Sequence, residues 1–146
     1  VIVLVGGGFA LTMGATSSGL GLWYGQQVAS LLEILPSLLM APAVAVVVSL
    51  MTEFTSNVAT SNIILPLLAT TAEELGLAPL HLMLPAVLAC SLAFMLPVAT
   101  PPNAIAYSTG LLKGHDMLRV GIVLNCVGVA MVSLAVPSVG AAVFGM

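Results

Sequence analysis

Thr52-Glu53-Phe54-Thr55-Ser56-Asn57 is a polar string set between two apolar runs, residues 38–51 and 58–72. A helix crossing the roughly 30 Å hydrocarbon core of a bilayer needs about 20 apolar residues at 1.5 Å per residue. The two runs, about 14 and 15 residues, each reach only about 21 to 22 Å. Two short apolar arms joined by a polar tip, with Glu33 before the first and Glu73-Glu74 after the second, predict a re-entrant hairpin over residues 37–75 that enters and leaves on one side. The other reading is one kinked span, which would carry Glu53 to Asn57 through lipid and expose costly polar groups.

The rest of the 146-residue chain agrees with a membrane setting. It is 60% hydrophobic and 5% charged, with a mean hydropathy of +1.24, against about 25% charged residues in soluble domains. The acids are Glu33, Glu53, Glu73, Glu74 and Asp116, and the bases are Lys113 and Arg119. No basic patch exists for nucleic acid. Cys90 and Cys126 both lie in apolar runs, where a cysteine reads as a small hydrophobe. The opening Val1-Ile2-Val3-Leu4-Val5 lacks a basic lead-in, so it reads as a chain cut in mid-helix and not as a signal peptide.

Outward from the hairpin, residues 1–13 read as a truncated transmembrane helix in which Gly6-Gly7-Gly8 suits close helix packing. Residues 14–36 mix Thr16, Ser17, Ser18, Trp23, Tyr24, Gln26 and Gln27, predicting an interfacial amphipathic helix and linker that lies flat. The run 79–97 is long enough to span, yet it ends in Pro97-Val98-Ala99-Thr100-Pro101-Pro102-Asn103 before resuming at 104–112. Residues 76–112 therefore read as a broken transmembrane helix, its break at 97–103, with a long first half and a short second half. Residues 113–119, with Lys113, His115 and Arg119, read as a loop, and 120–146 as the last transmembrane helix. The positive-inside rule places that loop in the cytoplasm, so the hairpin enters from outside and the C-terminus lies outside.

Unwound backbone at membrane depth survives only where it is buried in protein or lines a polar cavity. Fragment N-termini offer N–H groups and positive dipole ends to an anion, and fragment C-termini offer carbonyls to a cation. Secondary transporters bind near the midplane in this way. Ser56 or Asn57 would cap the second hairpin arm, and Pro101-Pro102 would open the second half-helix. Carbonyls around 52–55 and at Val98-Ala99, with the Thr52 and Asn57 side chains, could ligate a hard monovalent cation such as Na⁺. Glu53 reads either as a proton carrier or cation ligand, or as a group orienting the tip from behind. Asn125 reads as a helix–helix hydrogen bond, and His81 and His115 as interfacial residues.

The motifs Thr52-Glu53-Phe54-Thr55-Ser56-Asn57-Val58-Ala59-Thr60 and Phe94-Met95-Leu96-Pro97-Val98-Ala99-Thr100-Pro101-Pro102-Asn103-Ala104-Ile105 resemble the divalent anion/sodium symporter family of di- and tricarboxylate transporters. Gly6-Gly7-Gly8-Phe9-Ala10-Leu11 is similar to that family's GGG-containing helix, so three motifs fall in order over nearly the whole chain. The resemblance implies an all-α membrane protein, the second half of an inverted-repeat transporter with a re-entrant helical hairpin and a discontinuous transmembrane helix. It implies that Ser56, Asn57, Thr100 and Pro101 contact a carboxylate substrate. It also implies that Thr52, Thr55, Asn57 and Ala99 surround one sodium ion, Thr55 and Ala99 through backbone carbonyls.

The same resemblance implies a homodimer in a plasma or inner membrane, a need for the missing N-terminal repeat, and transport of succinate, malate or citrate, with no enzymatic step. Val58 departs from the Ser-Asn-Thr pattern of many bacterial members, and Ala106 stands where valine usually follows Asn-Ala-Ile. Two rivals remain at this point: a sulfate or proton-coupled transporter of the same architecture, and a structural membrane subunit.

Overall fold

Apolar segments that cannot share backbone hydrogen bonds with water satisfy them internally, and helices do this within one segment. Accordingly the computed structural model, which describes residues 2–140 and 143, is helical and shows no strand among the described residues. Its elements are α1 (Ile2–Ser17), α2 (Leu20–Ile34), α3 (Ser37–Thr52), α4 (Asn57–Glu74), α5 (Leu80–Ala89), α6 (Pro101–Ser108) and α7 (Gly114–Ala135), which widens into a π-helical end, Val136–Gly140. Val1 and residues 141, 142 and 144–146, the outer ends of the expected first and last helices, lie outside the described residues.

The expected helix at 1–13 runs on to Ser17, and the next helix starts at Leu20. The chain turns at Gly19, whose φ of 74° is a left-handed conformation that side chains resist. From α2, Val28 and Leu32 are buried, and the helix packs against α4.

The two expected hairpin arms form as α3 and α4, joined by residues 53–56. Ser56 starts α4 by accepting the Ala59 N–H at 3.1 Å. A Schellman motif ends it, with Gly76 N–H donating to the Glu73 carbonyl and Leu77 N–H to that of Ala72. Helix α5 packs against both arms. The buried stripes are Val44 and Val48 of α3, Ile64 and Leu68 of α4, and Leu82, Ala86 and Ala89 of α5. Their spacing of three or four residues is that of one helix face.

Two expected boundaries move. The break does not wait for Pro97: helix α5 stops at Ala89, and residues 90–100 form turns and bends. The first half is thus ten residues, not a long helix. Side chains replace the missing helical bonds, since Asn103 Nδ2 donates to the carbonyls of Ala93 at 2.9 Å and Leu96 at 3.0 Å. At the other end, the expected loop 113–119 is mostly helix. The Asp116 carboxylate accepts the Lys113 N–H at 3.3 Å, and α7 starts at Gly114, leaving Arg119 on its second turn.

Among the described residues one helical stretch, Gly114–Gly140, is long and apolar enough to cross a membrane. Its outward side chains, including Val123, Val127, Met131 and Leu134, are exposed and apolar, a surface suited to lipid or to further protein. Its inner face is shaved down. A Cβ on Gly121 would come within 2.5 Å of Met95 Cα and of the Phe94 carbonyl oxygen. Only glycine lets α7 lie against the unwound backbone there.

Candidate functional site

The turn 53–56 and the unwound segment 90–100 meet, and a cavity of about 480 Å³ opens between them. Ser56, Asn57 and Val58 line it from the start of α4, and Ala99, Thr100, Pro101, Pro102 and Asn103 from the start of α6. Two helix N-termini therefore border one cavity. Ser56 caps α4, and Thr100 caps α6 by accepting the Asn103 N–H at 3.5 Å. A hydroxyl that accepts at a cap keeps its own proton to donate. Each positive helix end favours an anion by about 0.3–1 kcal/mol, more when partly buried. No lysine or arginine lines the cavity, so an anion there would be held by dipoles, hydroxyls and amides.

All four residues expected to touch substrate, Ser56, Asn57, Thr100 and Pro101, line this cavity. Of the four expected around sodium, Asn57 and Ala99 line it too, while Thr52 is buried just behind. Thr52 Oγ1 lies 2.6 Å from Asn57 Oδ1 and 2.9 Å from the Cys90 carbonyl oxygen, so one proton is shared between two acceptors. Two side-chain oxygens thus sit side by side, an arrangement that suits a small hard cation. The Thr55 hydroxyl is turned away, donating to the Met51 carbonyl at 3.0 Å and pairing with Thr60. Thr55 does not line the cavity.

One expectation on the cation side is corrected. The carbonyl of Ala99 does not belong to a helix C-terminus, because α5 ends ten residues earlier. It sits in a turn in which Ala99 N–H donates to the Leu96 carbonyl at 3.2 Å. The carbonyl at the true end of α5, that of Cys90, is engaged by Thr52 instead.

Glu53 sits behind the tip, 1% exposed and away from the cavity lining. Its Oε1 accepts the Met95 N–H at 2.9 Å and Asn125 Nδ2 at 3.0 Å, and its Oε2 accepts the Leu96 N–H at 2.9 Å. Of the two readings open from sequence, this geometry matches a group that orients the site from behind. Asn125, expected to bond a neighbouring helix, instead donates to Glu53 in the turn that follows α3. Sequence reasoning missed the stitching role of Asn103; the available signal was a lone amide directly after Pro101-Pro102, beside backbone that had to lose its helical bonds. Val58 lines the cavity, and Ala106 lies on α6 outside it.

Against known proteins, the family model for the sodium:sulfate symporter transmembrane region matches residues 1–146. The chain is 49% identical to solute carrier family 13 member 2 of Homo sapiens, over the whole chain and 24% of that protein. It is 44% identical to the Na(+)/citrate cotransporter of Rattus norvegicus, over the whole chain and 25% of that protein. It is 49% identical to the rat Na(+)/dicarboxylate cotransporter 3, over 99% of the chain and 24% of that protein. The chain spans about a quarter of the length of these relatives.

Proposed function

Because the chain belongs to the sodium:sulfate symporter transmembrane family, we propose that it is the C-terminal part of a sodium-coupled symporter importing di- or tricarboxylates of the succinate, malate and citrate class. The observation that carries this reading is the pair of capped helix N-termini at one cavity, with the Thr52–Asn57 oxygen pair beside it. One carboxylate of the substrate lies at the starts of α4 and α6, met by Ser56, Asn57, Thr100 and the Pro101 end. Sodium lies between Thr52, Asn57 and the carbonyls of Thr55 and Ala99.

The two sites share Asn57, which offers an amide N–H to the anion and an oxygen to the cation. Cation binding thereby sets the anion-facing half of the same side chain, which is how a sodium gradient would be coupled to uptake. The hairpin formed by α3 and α4 and the broken helix formed by α5 and α6 would move together in alternating access within a homodimer. A first repeat elsewhere in the protein would complete the pocket. The names of the relatives, which specify citrate and dicarboxylates, favour carboxylates over the sulfate in the family description. The engagement of Glu53 by three donors favours sodium coupling over a proton route through that residue.

The test is uptake of labelled succinate and citrate into proteoliposomes by the full-length protein, with and without a sodium gradient. Uptake that needs sodium and is lost in Asn57→Ala is expected. Uptake indifferent to both would overturn the reading.

A further inference from the structure

We infer that Asn125 of α7 is a positioning residue for the cation site, acting through Glu53 on the backbone that carries Ala99. The Glu53 side chain bridges two separate pieces of chain, the turn it belongs to and the unwound segment whose Met95 and Leu96 N–H groups it accepts. Thr52 precedes Glu53 directly, and the Leu96 carbonyl accepts the Ala99 N–H. One carboxylate thus sets the distance between the two halves of the proposed sodium site. Asn125 donates to the same Oε1 that holds Met95, which fixes where that oxygen sits.

Two observations separate this from an ordinary interhelical bond. Asn125 is 6% exposed and its Oδ1 is buried with no hydrogen-bond partner. An orphaned carbonyl is destabilising, so packing alone would favour a leucine of similar size at that position. What the asparagine supplies in return is its donation to Glu53. Second, Gly121 lies one turn before Asn125 on α7 and touches the backbone of Phe94 and Met95. The helix therefore grips the same peptide segment twice, by contact at Gly121 and through Glu53 at Asn125.

The inference rests on the sodium-site reading above, and one assay distinguishes the two. Sodium-dependent uptake is measured for the wild-type full-length protein, Asn125→Leu, Asn125→Ser and Glu53→Gln, and for Glu53→Gln combined with Asn125→Leu, each normalised to folded protein in the liposomes. A wild type indifferent to sodium overturns the sodium reading itself. With a sodium-dependent wild type, the half-saturating sodium concentration is expected to rise about tenfold in Asn125→Leu and Asn125→Ser, the loss of one bond to a charged acceptor. The maximal rate holds, and the double variant is no worse than Glu53→Gln alone.

Half-saturation within twofold of wild type in Asn125→Leu or Asn125→Ser, or additive effects in the double variant, overturns the inference. If neither single variant folds, hydrogen exchange of Met95 and Leu96 in the wild type is compared with and without sodium. Slower exchange with sodium supports the link, and identical exchange refutes it.

Discussion

Gly121→Ala tests whether α7 rests on the unwound segment as described. The new Cβ would stand 2.5 Å from Met95 Cα and the Phe94 carbonyl oxygen, and 2.6 Å from the Phe94 carbonyl carbon, where ordinary contact begins at 3.4 Å. All three atoms are backbone, so neither neighbour can rotate away, and α7 must recede by about 1 Å. That movement stretches the 3.0 Å bond from Asn125 to Glu53 beyond hydrogen-bonding range. Overpacking costs about 1–3 kcal/mol, and a lost bond to a charged acceptor about 1.5–3 kcal/mol. Alanine returns about 1 kcal/mol of helix propensity, leaving a net destabilisation of about 1.5–5 kcal/mol.

Gly128→Ala is the matched control. The three heavy atoms nearest its Cβ all belong to the Leu92 side chain, the closest being Cδ2 at 2.7 Å, and a rotamer change there costs about 1 kcal/mol. The propensity gain cancels it. Thermal unfolding of the detergent-purified full-length protein should therefore fall by several degrees in Gly121→Ala and stay near wild type in Gly128→Ala. Hydrogen exchange at residues 93–96 should quicken in the first variant only. Wild-type stability in Gly121→Ala, or greater damage in Gly128→Ala, would refute the packing derived for this face of α7.

Ser56→Ala removes the α4 cap, a loss of about 1 kcal/mol, together with one hydroxyl at the cavity; the substrate KM is expected to rise severalfold, while Ser56→Thr stays close to wild type. Asn103→Leu removes both amide donations to the Ala93 and Leu96 carbonyls, a loss of about 2 kcal/mol, and limited proteolysis should then cut within 90–100 faster than in the wild type.

The site was legible in the sequence because its polar residues interrupt apolar runs. Ser56-Asn57 and Thr100-Pro101 stand out against their flanks, and cap and proline chemistry fix their position at helix starts before any contact is known. The point at which α5 ends was not legible. Residues 90–96 are apolar enough to continue a helix, and they unwind because Glu53, more than forty residues earlier, and Asn103, just beyond the break, take over their backbone groups. The start of α7 was missed for a related reason: Lys113 and Arg119 read as loop charges, whereas Asp116 at the first turn caps a helix that includes Arg119.

Composition and run length alone determined a helical membrane chain with two interruptions and the residue types found at them. Which face of each helix is buried was decided only by tertiary structure. Lipid and protein core are equally apolar, so a helix that is apolar all round does not mark its inner side. The same holds for the partners of Glu53: an intramembrane acid announces that something must satisfy it, but the satisfying groups lie 42, 43 and 72 residues away. Only packing α7 against the break through Gly121 brings Asn125 within reach of the Glu53 carboxylate.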